Sequence, residues 1–212
     1  MKKNLYTFLC IICSLNFYSQ KKEDNAKFSV EKSTIILLDN SEIEGTIDFP
    51  IADDKKPLKY KNANGKGKVE RDQISKVIFI TNKGNIEYVS MKVYNLATSK
   101  VDKTPKLLIN ILKGKVSLFV SSYTNNQFSY TASVNSFRNH GVGFTNFYCI
   151  RDGEEAASLI HVDSNYANKN AFFRQLGTKY FADNSQIATK IDIREYTYKN
   201  LFEVIELYNS IK

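Results

Sequence analysis

Thr34–Phe49 reads TIILLDNSEIEGTIDF, and this stretch decides the fold class. Thr34–Leu38 is an apolar run rich in β-branched residues, and Asp39-Asn40-Ser41 supplies turn chemistry. The chain then alternates, with Ile43, Gly45, Ile47 and Phe49 on one face and Glu42, Glu44, Thr46 and Asp48 on the other. Period-two alternation beside a short polar turn predicts a β-hairpin with one buried face. Two strands alone are marginally stable in water, so later strands must complete a sheet around them.

Working outward, Asp53–Pro57 (DDKKP) reads as a charged loop, Leu58–Lys61 as a short strand and Asn62–Gly67 (NANGKG) as a turn. Val69–Ile74 leads into Val77–Thr81, which is rich in strand formers. Asn82–Asn85 then turns the chain into a run that alternates Ile86, Tyr88, Ser90 and Lys92 against Glu87, Val89, Met91 and Val93. Four or five short strands at this spacing predict a strongly bent antiparallel sheet or a small barrel. The run TIILLDNSEIEGTIDF followed by KVERDQISKVIFIT resembles the strand-turn-strand arrangement of SH3-like and Sm-like barrels, in which a glycine at the position of Gly45 lets a strand bend sharply. That resemblance implies a shape. Sm-like proteins bind RNA, but an exported chain meets little of it, so no nucleic-acid partner is expected.

After a polar connector, Ala97–Lys106, the runs Leu107–Leu112 and Lys115–Val120 read as a second hairpin around Lys113-Gly114. It is expected to be buried more deeply than the first, because both of its faces are apolar. Phe128–Phe137 and Phe144–Ile150 are aromatic strand candidates, and Arg151–Glu155 reads as a turn. From Asn168 the period becomes helical. Phe172, Phe173, Leu176, Tyr180 and Phe181 mark one helix capped by Asn168 or Asn170, and Ile187 and Ile191 a second opened by Asp183 or Asn184. Leu201, Val204, Ile205, Tyr208 and Ile211 mark a third, with Asn200 and Glu203 spaced as a capping box. Strands first and helices last is an α+β order. The expected division is a β region over 33–166, divisible into 33–96 and 107–166, and a helical segment over 167–212 packed on it.

The first twenty residues carry Lys2 and Lys3, an apolar Leu5–Leu15 and a small-residue exit at Ser19-Gln20, the layout of a secretory signal peptide. Residues 21–32 read as a polar leader. Export without a lipid anchor is expected, since large residues precede Cys10 and Cys13, and no membrane span is expected after cleavage. Cleavage also leaves Cys149 as the one remaining cysteine, so the core must hold without an intramolecular disulfide. Loss of Lys2 and Lys3 takes the net charge from +8 to +6. That excess aids solubility and could favour anionic partners, but the lysines are scattered along the sequence, so a solvated surface is expected.

The segments from LKGKVSLF through FYCIRDGEE to FFRQLGTKYFADNSQIATKI and LFEVIELYN resemble a set of exported proteins of Bacteroidota-like bacteria whose function is unknown. In those proteins a Gly-Lys hairpin precedes a YxxxxG strand-turn, and three short helices close with a Tyr-Asn pair, here Tyr208-Asn209. The resemblance implies export and an α+β fold, and supplies no activity. Many of its members carry a Cys near the position of Asn184, whose absence here leaves Cys149 without that mate.

Candidate chemistry is sparse. His161 and Asp163 fall on one side of a strand as two of the ligands a metal would want, yet no HExxH, CxxC or acidic calcium loop supplies the rest. Cys149 would need a depressed pKa and a base, and His140 or His161 could reach it only through tertiary contact. No GxSxG or SxxK motif occurs, and the glycines around His140 form no phosphate-binding loop. Asp53-Asp54 and Glu154-Glu155 fall in turns and are expected to be solvated. The aromatic stretch Tyr123–Tyr148, with Arg138, Lys113 and Lys115, could meet a glycan or anionic surface, but is expected to pack the sheet against the helices. The expectation is a periplasmic, outer-membrane-associated or extracellular protein. It would act by binding an envelope protein or an anionic lipid or glycan surface, with no cofactor. A hydrolase using Cys149 or a His161-centred site is the alternative.

Overall fold

The computed structural model describes residues 29–52, 56–95, 99–123, 128–131, 136–139, 144–164 and 168–211. The signal segment, most of the leader, Asp53, Asp54 and His140 lie outside the described residues. Asp39 builds the first turn: its carboxylate accepts from the Ser41 backbone N–H at 2.9 Å and the Ser41 hydroxyl at 2.6 Å. Asn40 there takes φ 66°, a left-handed conformation that asparagine tolerates. The turn joins β1 (Val30–Leu37) to β2 (Glu42–Ile47), with Ile35 opposite Ile43 and Ser33 opposite Gly45. Ile35 and Ile47 are buried, while Glu42, Glu44 and Thr46 are exposed, as the alternation predicts.

The strands that follow are β3 (Leu58–Asn62), β4 (Gly65–Val69), β5 (Ile74–Thr81), β6 (Gly84–Met91), β7 (Lys106–Leu112), β8 (Val116–Tyr123), β9 (Phe128–Thr131), β10 (Ser136–Asn139), β11 (Phe144–Arg151) and β12 (Ser158–Ser164). Ten of the twelve described strands form one antiparallel sheet in the order β12-β11-β8-β7-β6-β5-β1-β2-β3-β4, and β9 pairs with β10 apart from it.

The sheet is open, which corrects the barrel alternative: β4 ends it on one side and β12 on the other. The reason lies in β7, whose Leu107, Leu108 and Ile109 are buried on both faces. It therefore adds to β6, Tyr88 opposite Ile109 and Met91 opposite Lys106, and extends the sheet. Meanwhile β3 holds β2 only through Thr46↔Lys61 and Ile47↔Tyr60. Gly45 permits this crossing, because a Cβ there would lie 2.8 Å from the Lys61 carbonyl oxygen. The NANGKG turn is also tighter than expected, confined to Ala63-Asn64, with the glycines that follow inside β4.

Three cores result. The first joins Ile35, Val77, Phe79 and Ile109 to Leu58 and Val69 of the curled β3–β4 hairpin. Phe49 meets Phe79 edge-on at 5.1 Å, and Phe79 meets Tyr88 at 5.7 Å. The second lies beneath three helices: α1 (Lys169–Tyr180), α2 (Ser185–Asp192) and α3 (Leu201–Ser210). There Val116, Leu118, Cys149 and Ile160 of the sheet meet Phe173, Phe181, Ile187, Ile191, Leu201, Val204 and Ile205. The third packs Val93, Leu108, Phe119, Tyr148 and Ala157 on the reverse face, so β7 and β8 are covered on both sides.

Helix entry follows the expected chemistry twice. The Asn168 side chain accepts from Ala171 N–H at 3.1 Å, and Asn184 from Ile187 N–H at 3.0 Å. The third cap is displaced by one turn. A short 3₁₀ turn, Tyr198–Asn200, precedes α3, and the capping box is Thr197 with Asn200. Asn200 already has ψ 9°, too far into the turn to act as a cap, and its amide donates to Glu203 at 3.0 Å instead. Leu201 is buried as expected, whereas Tyr208 is half-buried, its ring 5.5 Å from Phe181.

Next to Tyr208, Asn209 behaves like a strand residue. Its Oδ1 accepts from Val116 N–H at 2.7 Å, and its Nδ2 donates to the Val116 carbonyl at 3.0 Å. It sits against Gly114, where a Cβ would lie 2.3 Å from Nδ2. Among the described residues no helix is long and apolar enough to cross a membrane.

Candidate functional site

Three of the sequence-derived candidates, Cys149, His161 and Asp163, sit in one region, on the side of β11 and β12 that faces the helices. Cys149 of β11 is fully buried among Ile160, Phe173 and Phe181. Burial pushes its thiol well above the ordinary value, with Arg151 pulling the other way. A nucleophilic cysteine needs the opposite shift.

His161 reaches the same side through an irregularity in β12. His161 stands opposite Phe147 and Leu159 opposite Tyr148, so Ile160 is an extra residue, a β-bulge. The bulge turns both Ile160 and His161 toward the helices. His161 is 1% exposed, stacked 5.2 Å from Tyr198 at 20° and 5.6 Å from Phe147, with Phe173 edge-on at 6.2 Å. Neither ring nitrogen has a hydrogen-bond partner, so His161 makes no hydrogen bond to Cys149. Burial lowers its pKa to about 4, with Asp163 opposing and Lys169 assisting. Asp163 itself is ion-paired with Lys169. Among the described residues no three His, Cys, Asp or Glu side chains converge as metal ligands.

The richest polar constellation centres on Arg151, which the sequence showed only as part of a turn. Asp152-Gly153 reverses the chain, Gly153 at φ 87°, and returns Glu154 to Arg151. The Glu154 carboxylate accepts from Arg151's backbone N–H at 2.8 Å and from its guanidinium at 2.9 Å. Three further partners come from the helical segment. The guanidinium donates to the Tyr180 carbonyl and to Asp183, each at 2.8 Å, and to the Tyr208 hydroxyl at 3.1 Å. Tyr180 and Tyr208 close the shell, the former donating to Glu154 at 3.1 Å and the latter to Asp183. The guanidinium carbon lies 4.1 Å from the Tyr180 ring centre and 5.2 Å from that of Tyr208.

Burial alone would lower the pKa of Arg151. The bonds to Tyr208 and Glu154 and the charge of Asp183 outweigh it, so the pKa is raised. Burial likewise raises that of Tyr180. Four of the five guanidinium N–H groups are engaged within the protein, which leaves little to offer a ligand. Glu154 is thus not solvated as expected, whereas Glu155 is exposed beside Lys92.

Two surface depressions, of about 340 and 890 Å³, are lined by none of Cys149, His161, Asp163 and Arg151. The smaller lies on β6–β8, beside Glu87, Asn110 and Phe119. The larger is open, with Lys61 and Tyr60 on one side and Glu42 and Glu44 on the other. His140 is outside the described residues, as is much of the Tyr123–Tyr148 stretch, including the Arg138 side chain. Comparison with protein-family models, with curated proteins and with solved structures finds no match. The described residues form an α+β protein whose polar centre joins its helices to its sheet.

Proposed function

We propose that the protein is an exported, non-enzymatic component of the cell envelope that acts by binding, of the kind its resemblance to exported Bacteroidota-like proteins implies. The observation that carries this reading is how the reactive side chains are spent. Cys149 is buried with a raised thiol pKa, His161 is sealed between aromatic rings, Asp163 neutralises Lys169, and Arg151 with its partners fastens helices to sheet. Cys149 and His161 lie where substrate has no path to them, and Asp163 and Arg151 are spent on ion pairs, in contrast to a nucleophile and base converging on a cleft. The amino-terminal signal layout supports a partner in the envelope.

Crosslinking in the native envelope, followed by capture at low and high salt, tests the reading. Recovery of a defined envelope component supports it. Failure to recover any component, together with turnover of an ester, peptide or glycoside substrate that is lost in Cys149→Ala or His161→Phe, overturns it in favour of the hydrolase.

A further inference from the structure

The lysines that look scattered along the sequence are gathered by strand register. In the β3–β4 hairpin Lys59 stands opposite Lys68, and Lys61 opposite Lys66. All four are exposed, and among the described residues none has a carboxylate partner. Directly opposed like charges weaken a strand pair, so folding gains nothing from this arrangement. The β2 residue facing Lys61 is the neutral Thr46, and Glu44, next on that face of β2, is taken by Lys32 at 2.5 Å.

Lysines commonly protect a sheet edge from pairing with another chain. That accounts for Lys66 and Lys68 on the terminal strand β4. It does not account for Lys59 and Lys61 on β3, which already has strands on both sides.

We propose that this face of the β3–β4 hairpin is a docking surface for an anionic lipid bilayer; the proposal sharpens the binding reading above and rests on it. Cross-strand neighbours are spaced about 5 Å apart and alternate residues along a strand about 6.8 Å apart, so the four lysines spring from a two-by-two set of positions on one face of the hairpin. A two-by-two array suits a two-dimensional field of phosphate headgroups better than it suits a single-file polymer. The chemistry of the face agrees. It carries no arginine fork for bidentate recognition and no aromatic ring on which a sugar or base could stack. The hairpin's tyrosine, Tyr60, covers Gly67 and packs on the first core. The face also lies at the opposite end of the strand order from β12, against which α1 packs, so the helices do not obstruct it.

Co-sedimentation of the signal-free protein with vesicles of phosphatidylglycerol and phosphatidylcholine, and with phosphatidylcholine alone, tests the proposal. Binding is expected to the anionic vesicles only, and to fall steeply between about 0.1 M and 1 M salt as the screening length shrinks from about 10 Å to about 3 Å. Each Lys→Gln change in the array should weaken partitioning about fivefold, and Lys59, Lys61, Lys66 and Lys68→Gln together about 10³-fold. The quadruple variant should melt no lower than the parent, since it removes repulsion from the hairpin. A control with Lys83, Lys103, Lys113 and Lys179→Gln, all exposed elsewhere, removes the same charge and should bind like the parent. Equal loss in both quadruple variants would reduce the effect to net charge and overturn the proposal, as would no binding by the parent protein. Salt-resistant capture of an envelope protein beside absent vesicle binding would overturn the lipid surface alone and leave the broader reading intact.

Discussion

Each of the two main cores is closed by an arginine, and the two arginines work differently. Arg71, 5% exposed, donates to the carbonyls of Lys56 at 2.8 Å and Ala52 at 3.3 Å, holding the segment before β3 over the first core. Arg151 meets two carboxylates, a carbonyl and a hydroxyl, and ties the ends of helices to the end of β11. The first fixes local chain to local chain, with two backbone carbonyls among its partners. The second fixes one layer to another with charged ones, so its loss leaves Glu154 and Asp183 facing each other uncompensated. Polar groups at a layer boundary therefore carry more consequence here than polar groups along a sheet.

Truncation after Asn200 should break the comparison most completely. It removes Leu201, Val204 and Ile205 from the second core, each buried side chain being worth about 1.5–3 kcal/mol, so the loss approaches a whole domain's stability of about 5–15 kcal/mol. The expected result in a thermal melt is loss of the cooperative transition.

Arg151→Met should destabilise by about 2–3 kcal/mol, less than a fully buried pair would lose because the Asp183 side chain is 51% exposed. Arg71→Met removes the bonds to the Lys56 and Ala52 carbonyls, and their loss should cost about 1–2 kcal/mol. Urea denaturation of both variants measures the difference. If Arg71→Met costs as much as Arg151→Met, the contrast between local and interlayer fastening is wrong.

His161 sharpens the same contrast through pH, being sealed at the boundary between sheet and helices. In the unfolded chain it takes up a proton near pH 6.5, but in the fold only near pH 4. The unfolded state therefore binds more protons between those values. The contribution of neutral His161 is complete above about pH 6.5 and is lost as pH falls, by about 3 kcal/mol at pH 4. His161→Phe should flatten that part of the stability profile, and denaturation midpoints at several pH values provide the check. A variant as acid-sensitive as the parent would assign the loss elsewhere.

An effect no larger than that of Arg71→Met is expected at Gly114. Ala there would press on the Asn209 amide and cost about 1–2 kcal/mol, while Gly84→Ala, at the exposed turn between β5 and β6 where no atom lies within 4 Å but φ is 113°, tests backbone strain alone.

The hairpins and helices were legible because their cause is local. Thr34–Phe49 carries its own alternation and turn, and Asn168 and Asn184 cap the helices beside them. The polar centre was not legible, because the helical partners of Arg151 lie 29 to 57 residues along the chain and share no spacing with it. His161 and Asp163 were readable as residues of one strand, but not the bulge at Ile160 that turns His161 inward. The lysine array depends on register: Lys61 faces Lys66 because the turn is only Ala63-Asn64, whereas the sequence suggested a longer one. The displaced cap at Thr197 has the same origin, since Asn200 and Glu203 matched the spacing while an unforeseen 3₁₀ turn came first.

The grip of Asn209 on Val116 spans 93 residues and has a consequence in time. A ribosome releases the chain from its amino end, and β1 to β6 can pair as they emerge, each needing only strands already made. The second core has no such schedule. Val116, Leu118 and Cys149 appear early, but Leu201, Val204 and Ile205, which cover them, appear near the end. Until then half the molecule stays unfinished and exposes apolar strand. Such a chain is slow to become compact, because its decisive contacts are distant ones. For a chain exported as we propose, the second half at least would still be extended while its last residues are being made.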